Sequence, residues 1–228
     1  MTEVKIPLGE EPKISTSGND KEKKFVQAIR DARRDLWYDR MSNDRSREAA
    51  AQATLARLRQ AAGRQPEDDP LAWEAILEQV IAADFPQECI GKGDKPSVYE
   101  RAAFDTFTLY ALHQRSLTVD MYKAQVSVGR ASAMLAKETG SKSIKPRFDA
   151  LLVATSNEAV DHHLRSLVAM FNDRAITLDH GQLALDLVKL RNPKRRDAVR
   201  LRWGRDFARA LYEKTETSTD NKSKSSSK

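Results

Sequence analysis

The chain contains 228 residues, with 32% charged side chains, 40% hydrophobic side chains and a formal net charge of +6. A single cysteine, Cys89, excludes an intrachain disulfide, and the lack of any run of ~18 apolar residues excludes a membrane-spanning helix. Only nine glycines occur and β-branched runs are scarce, so the composition predicts an all-α protein. No apolar signal region opens the sequence, and we expect a cytoplasmic bundle of about eight to nine helices.

Charge is distributed unevenly along the chain. Residues 65–88 carry seven acidic and no Lys or Arg side chains, whereas residues 189–212 carry nine basic and two acidic ones. Residues 30–64 carry nine arginines against five acids. This asymmetry predicts one face that repels nucleic acid and one that attracts it. Charge blocks also occur in proteins that bind no nucleic acid. The pattern alone is therefore compatible with a nucleic-acid-binding protein and with a protein that binds no nucleic acid.

Polar stretches flank the predicted helices. Residues 1–20 and the Ser- and Lys-rich residues 214–228 are expected to be disordered. Asp20 is placed to cap a first helix that begins near Lys21. The expected buried face of that helix comprises Phe25, Ile29, Ala32 and Leu36, with Arg30, Arg33 and Arg34 directed away from it.

Three further helices complete a predicted N-terminal helical part, residues 21–117. The second helix is expected over residues 44–62, and Asp69-Pro70 signals the start of the third. The fourth opens on a capping box, Ser97–Glu100, and is apolar on most sides. The expected core positions of these helices are Leu55, Leu58, Trp73, Ile76, Leu77, Val80, Ile81, Phe104, Phe107, Leu109, Tyr110 and Leu112.

The C-terminal helical part is predicted over residues 118–213, and the two parts could form separate small subdomains. Its helices are expected to start at Ser127, near Pro146, after residues 155–157, at Asp179 and at Asn192-Pro193. The expected buried side chains are Val160, Leu164, Leu167, Val168, Phe171, Leu183, Leu185, Leu187, Leu190, Val199, Trp203, Phe207 and Leu211.

Basic side chains concentrate at one helix junction in this part. Gly140 ends a short helix, and Lys142, Lys145 and Arg147 follow in the connector and the first turn of the next helix. Such a junction can hold phosphates, and a solvated basic turn is the simpler interpretation. Arg130 lies on the helix before Gly140, and we expect it to share one phosphate path with Arg147.

Two other groups of arginines are candidates for strand contacts. Arg57 and Arg59 lie near the C-terminal end of the second helix, where cations also relieve the helix dipole. Arg202, Arg205 and Arg209 form a separate row on the last helix. A solvated face is the default interpretation of that row, and a strand-contacting face is the alternative.

Patterns typical of catalysis or metal binding are missing from the sequence. The four histidines, at positions 113, 162, 163 and 180, show no H-x-x-x-H spacing, and adjacent helical His162 and His163 point about 100° apart. There is no nucleophile elbow and no Gly-rich dinucleotide turn. We therefore expect a protein that is not an enzyme, with no cofactor and no metal. His113 is expected to be a packed or capping histidine and not a metal ligand.

Five weak motifs occur in a fixed order and spacing between Thr54 and Tyr212. They are ARLRQAAGRQP, FDTFTLYALHQ, VSVGRASAML with the RFDALL and HHLRSLV segments that follow it, LDHGQLALDL and RWGRDFARAL. Together they resemble the CasB family, the small subunit of Cascade, which is the type I-E CRISPR surveillance complex. The chain departs from that pattern in its N-terminal extension, its Ser/Lys tail and Leu190-Arg191, where the family often has tryptophan.

The resemblance implies a non-catalytic helical subunit that sits as paired copies beside other Cascade subunits. It would hold crRNA and the target or displaced DNA by their phosphates, and such contacts can tip a nearly balanced R-loop exchange. The expected nucleic-acid-binding residues are Arg57, Arg59, Arg130, Lys142, Lys145 and Arg147. The alternative is a helical protein-interaction module whose basic patches bind acidic protein partners.

Overall fold

The computed structural model describes residues 16–213, which form nine α-helices joined by turns and two short 3-10 segments. This architecture confirms the all-α prediction. The two stretches expected to be disordered lie outside the described residues at positions 1–15 and 214–228. The helices are α1 (Thr16–Arg40), α2 (Arg45–Ala61), α3 (Pro70–Ala82), α4 (Val98–His113), α5 (Val128–Thr139), α6 (Ile144–Val153), α7 (Asn157–Asp173), α8 (His180–Leu190) and α9 (Arg196–Tyr212).

Helix α1 departs from its prediction in two respects. It begins at Thr16, so Asp20 lies inside the helix and pairs with Lys24, with 3.1 Å between Oδ2 and Nζ. The placement of Arg33 outside the buried face is wrong: Arg33 is only 3% exposed. It follows Ile29 by four residues and therefore lies on the same helix face. The predicted face itself is confirmed, since Phe25, Ile29, Ala32 and Leu36 are all buried.

The described chain divides into two compact units. The first comprises residues 16–108 together with His180–Val188, and the second comprises Leu109–Asp179 with residues 189–213. The division into residues 21–117 and 118–213 made from the sequence remains a prediction.

An aromatic cluster forms part of the core of the first unit. The Phe25 ring meets Phe85 and Tyr99 edge-on, with centroids 5.6 and 5.1 Å apart. Trp73 and Phe104 lie 6.2 Å apart in the same unit. Edge-to-face pairs at these distances are favourable beyond the area that they bury. They fix α1, α3 and α4 against one another.

The apolar stripe of α3 is narrower than predicted. Ala72, Ile76 and Val80 are buried, and each follows the last by four residues. Ile81 is 50% exposed, because it lies about 100° around the helix from Val80. Leu71 is also exposed.

Local caps start several helices where the sequence places them. Ala72 N–H donates to Asp69 Oδ1 at 3.2 Å, and Ala159 N–H donates to Ser156 Oγ at 3.1 Å. In the predicted capping box, Glu100 N–H donates to Ser97 Oγ at 3.1 Å and Ser97 N–H donates to Glu100 Oε2 at 2.6 Å. Each bond satisfies a backbone N–H that has no partner within the helix.

Helices α5, α6, α7 and α9 pack in the second unit. The rings of Phe148 and Phe207 stack with centroids 4.8 Å apart and an angle of 12° between planes. Trp203 on α9 is fully buried. α9 begins at Arg196, later than predicted. The side-chain Oδ1 of Asn192 accepts the Lys194 N–H at 3.0 Å, and this local hydrogen bond favours a turn over a helix at these residues. The predicted buried positions of α7, Val160, Leu164, Leu167, Val168 and Phe171, are confirmed.

His113 is buried at the end of α4, as the sequence predicts. Its Nε2 lies 2.7 Å from the carbonyl oxygen of Ile176, and the neutral ring donates this hydrogen bond. Burial lowers the pKa of His113 to about 4, and the Ile176 contact and the Asp120 carboxylate only partly oppose that shift. The folded state therefore favours the neutral imidazole.

We expect this histidine to make stability depend on pH. Because the folded pKa lies below the usual value of 6.5, its contribution is present above pH 6.5 and is lost as the pH falls towards 4. The loss should reach roughly 3 kcal/mol in the free energy of unfolding. Urea unfolding of the wild type and His113→Gln at several pH values measures it. The difference between the two proteins should shrink on acidification, and a constant difference would contradict the assignment.

Candidate nucleic-acid interface

Helix α5 is held at both ends by features that the sequence predicts. At its start, Arg130 N–H donates to Ser127 Oγ at 3.2 Å, and the Ser127 hydroxyl donates to Asp206 Oδ2 on α9 at 2.7 Å. At its end, Gly140 adopts a left-handed conformation with φ 62°, which suits glycine. The chain then turns into α6, which begins at Ile144, and the basic side chains predicted from the sequence lie in this turn and in the first turn of α6.

Lys142 precedes α6, whereas Lys145 and Arg147 lie in its first turn. All three cations are exposed, but they differ in their partners. Lys145 pairs with Asp149 one turn along α6 and lies 5.7 Å from the Phe207 ring centroid. Arg147 reaches only the Ser166 hydroxyl, with 3.5 Å between Nη1 and Oγ. Within residues 16–213, Lys142 has no side-chain hydrogen bond or ion pair. Lys142 and Arg147 therefore keep charges that no carboxylate compensates in the described part of the chain.

Arg130 has a different environment. Its Nη1 and Nη2 donate to the two carboxylate oxygens of Glu213 at 3.0 and 2.7 Å, a bidentate pair just beyond the end of α9. Lys137, also on α5, donates to the Glu213 carbonyl oxygen at 2.7 Å. Arg130 is thus oriented towards the end of α9 while Arg147 contacts α7. A phosphate path shared by Arg130 and Arg147 remains a prediction, and Glu213 already compensates one of the two charges.

The remaining predicted site residues lie in the first unit. Arg57 is exposed on α2, and no side chain among residues 16–213 pairs with it. Arg59 is half-buried and already takes part in an interaction within the chain. Its carbonyl oxygen accepts the Ala62 N–H at 3.3 Å. Of the two, Arg57 is the better placed to meet a phosphate.

Two arginines of α9 support the fold, and the sequence alone did not distinguish them from the other basic side chains of that helix. Arg200 Nη2 donates to the carbonyl oxygen of Ala154, and Arg196 Nη1 donates to that of Thr155 at 3.4 Å. Both carbonyls follow the C-terminal end of α6, where cations are favourable. The two arginines are four residues apart and therefore lie on one face of α9. This spacing is the sequence feature that could have identified them as a pair. Arg205 and Arg209 lie elsewhere on that helix and are exposed.

No group of three or more His, Cys, Asp or Glu side chains among residues 16–213 could hold a metal ion. The His162 and His163 rings lie 5.5 Å apart at an angle of 72°. Cys89 is buried, and burial raises the pKa of its thiol to about 12, so the reactive thiolate is disfavoured. In the described part of the chain, each helix is too short or too polar to cross a membrane.

Comparisons with known proteins agree with this helical architecture. The family model for the CRISPR-associated protein Cse2 matches residues 54–207. CasB from Thermobifida fusca has a solved structure that is similar with a TM-score of 0.61 and 30% sequence identity, covering 82% of this chain and 97% of that one. A Cse2-family CRISPR-associated protein from Thermus thermophilus is similar in fold, with a TM-score of 0.57 and 24% identity over 83% of this chain and 98% of that one. A search of curated protein sequences gave no significant match.

Proposed function

Because the chain belongs to the Cse2 family of CRISPR-associated proteins, we propose that it is the small subunit of a type I-E Cascade surveillance complex in the cytoplasm. In this role it is non-catalytic and holds crRNA together with target or displaced DNA by their phosphate backbones. Its protein partners are the other Cascade subunits and a second copy of itself. Backbone contacts of this kind stabilise an R-loop without reading sequence.

One observation carries the phosphate-holding part of this proposal. Lys142 and Arg147 lie exposed at the α5–α6 junction, and no carboxylate among residues 16–213 pairs with either. Neutralising such charges with a phosphate releases counterions and breaks no existing ion pair. By contrast, Arg130 and Lys145 would have to exchange or share Glu213 and Asp149. We therefore rank Lys142 and Arg147 above Arg130 and Lys145.

Reversing both charges tests the proposal. We expect Lys142→Glu with Arg147→Glu, assembled with crRNA and the other subunits, to bind matched duplex DNA about 5- to 150-fold more weakly, or ~1–3 kcal/mol. The loss should be nearly uniform across target sequences, because position rather than base identity is lost. The dependence of log K on log salt should also become shallower by about two. Filter binding over a salt series measures both quantities.

The matched control is Lys92→Glu with Lys95→Glu. These two lysines are exposed in the connector between α3 and α4, and the change in net charge is the same. An equal loss in the control would show that total charge alone matters. Wild-type DNA binding by an assembled Lys142/Arg147 variant would show that the strand does not cross this junction.

A further inference from the structure

Four exposed side chains form one face of α9. Leu201, Arg205, Arg209 and Tyr212 lie within about 80° of one another around the helix, given ~3.6 residues per turn. Tyr212 is 83% exposed and Leu201 is 59% exposed. We call this surface the α9 outer face. It differs from the side of α9 that carries Arg196 and Arg200, whose guanidinium groups contact backbone carbonyls after α6.

The two arginines of the α9 outer face carry uncompensated charge. The nearby acidic side chains are engaged elsewhere: Asp206 accepts a hydrogen bond from Ser127 at 2.7 Å, and Glu213 is bound by Arg130. The remaining carboxylate of α9, Asp197, lies 3.4 Å from Arg200. Among residues 16–213, neither Arg205 nor Arg209 has a side-chain partner. The face therefore attracts anions.

Tyr212 adds a feature that charge neutralisation does not require. The Tyr212 side chain lies one turn beyond Arg209 and about 10 Å along the helix from Arg205, and it is largely exposed to solvent. Aromatic rings next to cations form stacking platforms for unpaired bases, since every base presents a flat aromatic face. Bases within a duplex are stacked on one another, so this surface suits a single strand better than a double helix.

We propose that the α9 outer face binds single-stranded nucleic acid, with Arg205 and Arg209 at successive phosphates and Tyr212 stacked on one base. Leu201 extends the apolar surface beside the strand. This inference rests on the proposed function, to which it adds a second contact surface and the class of strand bound there. The α5–α6 junction has two uncompensated cations and no exposed aromatic side chain among residues 140–147. Removing the bases from a bound strand should therefore weaken its contact with the α9 outer face and leave its contact with the junction unchanged.

The test compares two fluorescent probes on the full isolated chain: an oligothymidylate of about 20 nucleotides and an abasic strand with the same number of phosphates. We expect Tyr212→Ala to weaken oligothymidylate binding about 5-fold or more, from the loss of one stacked base, and to leave abasic binding unchanged. Tyr212→Phe should bind both probes as the wild type does. Arg205→Glu with Arg209→Glu should weaken both. Fluorescence anisotropy gives the affinities.

The control is Tyr38→Ala, which removes another exposed tyrosine, on α1. An equal effect of Tyr38→Ala, or equal effects of Tyr212→Ala on both probes, would overturn the stacking inference. If the Lys142/Arg147 reversal weakens binding while changes on the α9 outer face do not, the inference fails and the proposed function stands. If no variant alters binding, both fail. If the Arg205/Arg209 reversal blocks subunit assembly but spares oligothymidylate binding, this face meets an acidic protein surface instead.

Discussion

Gly129→Ala should destabilise the protein by roughly 3 kcal/mol or more, because α5 and α9 approach each other at this residue with no room for a side chain. A Cβ built on Gly129 would overlap the carbonyl oxygen of Trp203 and lie 2.8 Å from its carbonyl carbon. Both are backbone atoms, so relief requires the two helices to separate. The expected fall in melting temperature is about 6–12 °C. Thermal unfolding followed by circular dichroism measures it.

Gly204→Ala is the matched control on the opposing helix. A Cβ at Gly204 would meet only Leu152 Cδ1, at 4.0 Å, which is ordinary contact. Since alanine favours helix over glycine, this variant should gain about 0.5–1 kcal/mol. If Gly129→Ala is as stable as Gly204→Ala, the close approach of α5 and α9 does not occur.

Asn172→Asp should also cost roughly 3 kcal/mol or more at neutral pH. Asn172 is buried on α7, and its Nδ2 donates to the carbonyl oxygens of His113 and Arg115 at 2.8 and 2.9 Å. A carboxylate offers no donor and would face both oxygens at the negative end of α4. Protonation supplies one donor, and the folded state raises the pKa of this carboxyl, so the difference from wild type should shrink as the pH falls towards the usual aspartate pKa of about 4. Urea unfolding at pH 7 and under acid conditions measures it.

Asn157→Asp makes the same substitution at the first residue of the same helix. Asn157 is exposed there, and a negative charge at a helix N-terminus is favourable, so stability should stay equal or rise slightly. Equal behaviour of the two variants would show that Asn172 does not hold the end of α4.

Much of the fold could be predicted because its signals are local. Ser127, Ser156 and Asp69 each bond a backbone N–H three residues ahead, so a short stretch of sequence contains both partners. The buried stripe of α7 follows from its spacing alone. Arg33 shows the limit of such reasoning. Its charge suggested the surface, although its spacing from Ile29 places it on the buried face.

The candidate site could be predicted only in part. The sequence locates the basic junction of Lys142, Lys145 and Arg147, since these residues are neighbours in the chain. It does not show which of those charges are already compensated. Arg130 and its partner Glu213 are 83 residues apart, and no local pattern pairs them. The α9 outer face depends in the same way on Ser127 engaging Asp206 from 79 residues away.

The sequence by itself determined the order of the helices, several of their caps, most of their buried positions and the motifs that resemble a known family, because each depends on residues a few positions apart. Only the tertiary structure decided which cations remain available for phosphates. It also decided which glycines allow close helix packing: in the first unit, a Cβ at Gly181 would lie 2.8 Å from the Val26 carbonyl oxygen. These features depend on groups that are distant in sequence, and folding alone brings them within bonding or van der Waals distance.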